Sequence, residues 1–406
     1  MNIIKIPLIA LFTLTTAVGV LFVNSRQENV PPPKPTDFLR IEGKKIIDET
    51  GNEIFLRGFN IGPVKFASYK DRDNSLEKID AFNDAMLKNY ISEWDIKNMK
   101  DMGANVLRAH SYLRFYTLET EPYQYDEGYI KTLDDLIDMA YAQGIYVIIT
   151  MTGAGQNTHQ NTTNQLGNSL WTNKDLRKRV IAAWRYLAEH FANHPGVAGY
   201  DILNEPRPGS KEALHSFYEE VVKAIRQVDR NHIIVLSAHY FHGQSAFSCG
   251  GEFDDDNILL QIHQYGEAPR RDIENAASVA YPHKSLLKQG LQKLYRSWHA
   301  LQRRPLFVGE FSAVWDSGED GLRWTEDMIE LMNQRGIHWT YFSYKNIFGK
   351  ERGLYIAKEW WQKDMTDEQK ANLHLGKQQK RLLSTRENYK VNPAIKKILE
   401  DGFESR

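Results

Sequence analysis

Two glutamates stand out by their neighbours. Glu205 lies in Asn204-Glu205-Pro206 and Glu310 in Gly309-Glu310-Phe311, each at the polar end of a short apolar run. Other apolar runs end in Arg108, in His263-Gln264-Tyr265, and in the aromatic stretch Trp339–Tyr344. Two carboxyl groups across one cleft are what cleavage of a glycosidic bond requires: one gives a proton to the leaving oxygen while the other stabilises or attacks the oxocarbenium-like centre. A pair about 5–5.5 Å apart retains the anomeric configuration, and a wider pair leaves room for a water and inverts it. Chain spacing leaves that gap open. A lone glutamate at a strand end often only pairs with an arginine. Two of them, with Arg, His and Tyr at other strand ends, favour chemistry.

Eight apolar runs must position these side chains: Ile54–Ile61, Ala104–His110, Ile145–Met151, Ala198–Asn204, Ile233–Ala238, Ile258–His263, Leu306–Phe311 and Ile337–Phe342. They are rich in Ile, Val and Leu, as parallel strands buried on both faces are. Amphipathic stretches separate them, at Ile130–Tyr141, Asp175–Phe191, Lys211–Val228 and Leu286–Leu301. Within 175–191 the 3.6-residue period falls on Leu176, Val180, Trp184 and Leu187. Gly103 and Gly336 sit where helices end before a strand. The link between the fifth and sixth runs reads as loop, and 39–53 as a small hairpin. This alternation predicts an α/β fold of the (β/α)8 barrel (TIM barrel) type, a single catalytic domain with a small N-terminal hairpin. No G-x-G-x-x-G follows the first run, so a dinucleotide fold loses its main support. In such a barrel the active site lies at the carboxyl ends of the strands, where both glutamates fall.

Composition narrows the rest. Of 406 residues, 42% are hydrophobic and 25% charged, which excludes a disordered chain or a multi-span membrane protein. Lys+Arg 51 against Asp+Glu 52 gives no basic footprint for nucleic acid. The single cysteine, Cys249, excludes an intramolecular disulfide and a thiolate zinc cluster. Residues 1–25 read as an export signal, with Lys5 before the uncharged apolar stretch Ile6–Val23. That stretch is cleaved or stays as a membrane anchor, its length being compatible with either. Residues 26–37, with Pro31-Pro32-Pro33-Lys34-Pro35, read as a stiff linker, and 38–406 as the barrel domain. The protein is expected to be exported, secreted or periplasmic, and to act as a monomer on a β-linked oligo- or polysaccharide. No cofactor and no metal are expected.

The stretch Gly199-Tyr200-Asp201-Ile202-Leu203-Asn204-Glu205-Pro206-Arg207-Pro208 resembles the fourth-strand signature of glycoside hydrolase family 5, the cellulase family. Gly309-Glu310-Phe311 resembles its seventh-strand nucleophile motif, His263-x-Tyr265 its sixth-strand pair, and Arg108 its second-strand arginine. The order matches along residues 54–346. The resemblance implies a retaining β-glycosidase with Glu205 as acid/base and Glu310 as nucleophile. It further implies that Asn204 bonds the sugar 2-hydroxyl, Arg108 keeps Glu310 ionised, Tyr265 bonds the nucleophile, and His263 sits near the acid. Two positions depart from the pattern. Thr152-Gly153 stands where the family has His-Gly after the third strand, and Phe342-Ser343 stands for Trp-Ser after the eighth. Trp339 is the alternative for that sugar platform. Both departures bear on the −1 subsite, so β-glucan, β-mannan and glucoside all stay open. A catalytically silent carbohydrate-binding barrel is the rival from another class, although both carboxylates are retained.

Further aromatic candidates for sugar stacking are Trp171 and Trp315, with Phe66, Tyr69 and Trp360-Trp361 in long loops. His239, and less so His242, lie where the fifth run reaches the mouth. Trp94, Trp184 and Trp298 fall on helical patterns and read as packing residues. His190-x-x-x-His194 has the spacing of a zinc helix, but Phe191 replaces the metalloprotease glutamate. The charged stretch 358–390 reads as a solvated helical face.

Overall fold

The computed structural model describes residues 38–61, 90–112, 123–152, 170–208, 210–238, 253–265, 304–313, 318–346, 353–357 and 385–405. The export signal, the proline-rich linker, the Leu286–Leu301 helix and residues 239–252 of the link between the fifth and sixth runs lie outside them. Among the described residues, no helix is long and apolar enough to cross a membrane.

A short antiparallel hairpin, β1 (Arg40–Glu42) and β2 (Lys45–Ile47), comes first. Eight parallel strands then close a barrel: β3 (Arg57–Ile61), β4 (Val106–Tyr112), β5 (Tyr146–Thr152), β6 (Val197–Asp201), β7 (Ile233–Ser237), β8 (Ile258–Tyr265), β9 (Leu306–Ser312) and β10 (His338–Tyr341). Each falls on one of the eight apolar runs. Closure pairs β10 with β3, so no barrel edge is left open. Packed around them are α1 (Glu93–Asp101), α2 (Glu127–Ala142), α3 (Lys174–Phe191), α4 (Lys211–Arg226) and α5 (Gly318–Asn333). Helix α3 starts where Asn173 Oδ1 accepts the amides of Asp175 and Leu176, and it buries Leu176, Val180, Trp184 and Leu187 on one face. Gly103 and Gly336 have φ of +103° and +63°, the left-handed conformation that ends a helix at low steric cost.

Strand alternation divides the core into two shells. Outward side chains such as Leu107, Ile149 and Val308 pack under the helices. Inward ones, including Val106, Ile148, Val235, Leu259 and Phe307, fill the barrel near the strand starts. Leu39, Ile41 and Ile46 of the hairpin join this inner cluster, and Ile41 N donates to Asn257 Oδ1 at 2.9 Å. The hairpin therefore closes the barrel's N-terminal end, and burying such a side chain is worth roughly 1.5–3 kcal/mol. Nearer the other end, inward positions become polar.

After the barrel, β11 (Lys345–Asn346), β12 (Tyr355–Ala357) and β13 (Tyr389–Val391) form a small sheet, with α6 (Thr385–Asn388) before β13 and α7 (Pro393–Glu404) after it. This corrects the reading of 358–390 as a solvated helical face at its described end, where Tyr389 is buried and its ring lies 4.2 Å from Lys345 Nζ. Local periodicity carries no sign of that long-range contact.

Candidate active site

Arg108 is the hub of the inner polar tier. Projecting from β4, it is fully buried. Its Nε and Nη2 donate to Asp201 Oδ2 at 2.9 and 2.6 Å, Nη1 donates to Asn60 Oδ1 at 2.9 Å and Glu310 Oε1 at 2.8 Å, and Nη2 donates to Asn204 Oδ1 at 2.9 Å. Asp201 is further held by Thr150 Oγ1 and Gln261 Nε2, each at 3.1 Å. Asn60 Nδ2 donates to Gly309 O at 2.8 Å, which fixes the orientation of its amide. Gly309 is needed for close approach, since a Cβ there would lie 2.1 Å from Gln261 Oε1.

Glu310 sits above this tier, 4% exposed. Arg108 holds its Oε1, and the Tyr265 hydroxyl donates to its Oε2. Burial raises the Glu310 pKa, but the charges of His263 and Arg108 outweigh it and hold the carboxyl below its ordinary range. On β6 the ladder ends at Asp201, earlier than the run Ala198–Asn204 suggested. Ile202 N then bonds Val235 O, and Asn204 N bonds Met151 O at 3.0 Å, so the turn is tied to both neighbouring strands. Glu205 follows with φ of +49°, the one non-glycine positive φ among the described residues. Such a conformation costs on the order of 1–3 kcal/mol and persists where the surroundings enforce it, commonly at functional sites. His263 Nδ1 lies 2.9 Å from Glu205 Oε1 and 3.6 Å from Glu310 Oε2. Burial pushes the Glu205 pKa up, yet the hydrogen bond and charge of His263, with Arg108 and Arg207, bring it below the ordinary value.

One oxygen of Glu205 and one of Glu310 lie within 4.8 Å of each other, with His263 between them. The same three groups could offer ligand atoms to a metal. Arg108 already places a fixed positive charge on Glu310, which argues for a hydrogen-bonded carboxylate pair instead.

A scan against family models matches residues 48–347 to Cellulase (glycosyl hydrolase family 5). The chain belongs to glycosyl hydrolase family 5. It is a glycoside hydrolase. Among curated relatives, a beta-xylosidase of Phanerodontia chrysosporium is 27% identical over 79% of this chain and 73% of its own. Endoglucanase E-5 of Thermobifida fusca is 24% identical over 76% of this chain and 56% of its own, so the chain spans little more than half of that relative. Among solved structures, endoglucanase Cel5A of Thermotoga maritima superposes with TM-score 0.57 at 19% identity, covering 80% of this chain and 96% of its own. Endo-glycoceramidase II from Rhodococcus sp. gives 0.58 at 19%, covering 78% of each chain. At that identity the superpositions speak for the fold alone.

The structure brings together Glu205, Glu310, Arg108, Asn204, His263 and Tyr265. Phe342 joins them, with ring centroids 6.1 Å from His110 and 6.2 Å from Tyr265. Trp339 does not, which corrects its candidacy as a sugar platform. It is fully buried, stacks on Phe403 at 4.9 Å, and donates Nε1 to Asn333 Oδ1 at 2.9 Å. Alternation along β10 sends Trp339 outward with Tyr341, and Thr340 and Phe342 inward. Thr152 stands at the end of β5 and spends its hydroxyl proton on Ser111 O at 2.8 Å. Trp171 is half-buried and packs edge-on against Phe217 at 6.0 Å. Trp315, His239, His242, Phe66, Tyr69, Trp298, Trp360 and Trp361 lie outside the described residues. Of the helical tryptophans, Trp184 is buried and Trp94 is 36% exposed. His190 and His194 pair with Asp134 at 2.8 Å and Asp138 at 3.1 Å on α2, a match of two i, i+4 ladders. Sequence reasoning missed Asn60, His110, Thr150, Asp201 and Gln261. For His110 the available signal was its two-residue spacing from Arg108.

Proposed function

We propose that the protein is an exported, retaining β-glycoside hydrolase working by double displacement. The observation carrying this is the separation of the carboxylates, with one oxygen of each within 4.8 Å. So close an approach of two oxygens favours the roughly 5–5.5 Å spacing of retaining carboxyl groups over the roughly 6.5–9.5 Å spacing that admits a water between inverting ones. Glu310, held ionised by Arg108 and bonded by Tyr265, attacks the anomeric carbon. As that bond forms, the bond to the leaving oxygen breaks, and Glu205 gives that oxygen its proton. Water then attacks the glycosyl ester, Glu205 takes the water's proton, and Glu310 leaves as carboxylate. For the first step Glu205 must be protonated. A bound saccharide favours this by removing water from a side chain that is 19% exposed. In this reading Asn204, whose Oδ1 accepts from Arg108, bonds the sugar 2-hydroxyl.

The substrate class is a β-linked saccharide. The names of the relatives support glucan and xyloside as first choices, and β-mannan belongs in the same screen. Export rests on Lys5 and the apolar stretch Ile6–Val23.

Reducing-sugar release by a 26–406 fragment across β-glucans, mannan, xylan and aryl β-glycosides tests the reading. Activity that disappears in Glu310→Ala supports it. Polysaccharide binding without any turnover would replace it with a silent binding barrel.

A further inference from the structure

One neighbour of the carboxylate pair is left unused by this chemistry. His110 follows Arg108 by two residues on β4, so both turn into the barrel. Its Nε2 is held from three sides, by Arg108 Nη1 at 2.9 Å, Asn60 Oδ1 at 3.1 Å and Glu310 Oε1 at 3.4 Å. Phe342 packs against the ring at an interplanar angle of 78°. Burial, then the Arg108 charge, push the His110 pKa down to about 3, so the imidazole is neutral. A neutral imidazole has one N–H and one lone pair. If Arg108 donates to Nε2, the proton is on Nδ1, which is then a donor. If Nε2 instead donates to Asn60, Nδ1 is an acceptor. In both tautomers Nδ1 is the atom left over, and among the described residues nothing bonds to it. A hydroxyl both donates and accepts, so it satisfies either tautomer.

We propose that His110 Nδ1 binds one ring hydroxyl of the saccharide unit seated at Glu310, making His110 a specificity-determining residue. This rests on Glu310 being the nucleophile. With Nε2 pinned, the ring is oriented before substrate arrives, so little ordering cost falls on binding. The adjacent strand end offers no equivalent donor, because the Thr152 hydroxyl proton is committed to Ser111 O. A substrate lacking the matching hydroxyl leaves a buried imidazole edge unpaired, which is how a polar site rejects the wrong sugar.

The test uses the aryl β-glycoside that the wild-type protein turns over, with the set of its monodeoxy analogues. The kcat/KM ratio of parent to each analogue is measured in the wild type, in His110→Ala and in His110→Asn. The asparagine variant keeps a polar group beside Arg108 should the alanine variant fail to fold. In the wild type, removing the matched hydroxyl should cost about 10–100-fold. In the variants the ratio at that position should collapse to within about 3-fold of unity, while the ratios at other positions stay as in the wild type. A purely structural role lowers all substrates by one factor and leaves every ratio unchanged, and that result overturns the inference alone. Turnover that survives in Glu310→Ala would remove the nucleophile assignment, and this inference with it.

Discussion

Neutralising Asp201 should weaken the fold and at the same time make the nucleophile easier to ionise. Asp201 and Arg108 are both fully buried, and Asp201 Oδ2 accepts from both Arg108 nitrogens as well as from Thr150 and Gln261. Removing one partner of a buried ion pair typically costs about 3–5 kcal/mol, because a charge is left uncompensated. Asp201→Asn belongs at the lower end, about 3 kcal/mol. Its amide oxygen can keep the Oδ2 bonds, and Glu310 still faces Arg108 at 2.8 Å. The new amide nitrogen would fall at the position of Oδ1, which has no partner among the described residues, adding an unpaired buried donor. Urea unfolding with linear extrapolation measures the loss. The second effect has a definite sign. Asp201 shares Arg108 with Glu310, so its negative charge opposes ionisation of Glu310. Without that charge Glu310 ionises at lower pH, and the acidic limb of kcat/KM moves down. A loss below about 1 kcal/mol, or an acidic limb that moves up, would refute this view of Arg108 as a shared counter-ion.

Three further outcomes follow from the same geometry. His263 lowers the pKa of both Glu205 and Glu310, so in His263→Gln both limbs of the kcat/KM profile should shift upward; limbs moving in opposite directions would contradict its placement between the carboxylates. Trp339→Phe should cost roughly 1–3 kcal/mol by orphaning Asn333 Oδ1, with KM unchanged, as thermal melts and steady-state kinetics would show. The His190→Asn, His194→Asn double variant should retain wild-type activity, and a chelator should inhibit neither protein, because each histidine is engaged by an α2 aspartate.

The barrel was legible because its strands are buried on both faces and stand out as uninterrupted apolar runs. The carboxylates were legible because barrel topology assigns strand ends to the mouth. Asn60, Thr150, Asp201 and Gln261 were not, since each is one polar letter whose meaning comes from a partner on another strand. Gln261 lies 60 residues from Asp201 in sequence. Ladder irregularities hide more: the register slips between Ile262 and His263, and again between Trp339 and Tyr341. Counting in twos along β10 would still have separated Trp339 from Phe342, because the inward set is Thr340 and Phe342.

Retention itself is the claim most open to direct attack. Proton NMR of the first-formed product, followed from the start of hydrolysis of an aryl β-glycoside, reports the anomer released before mutarotation. Double displacement through Glu310 predicts that the β anomer appears first and the α anomer grows in later. The α anomer appearing first would mean a single displacement by water, and the close pairing of Glu205 with Glu310 would need another explanation.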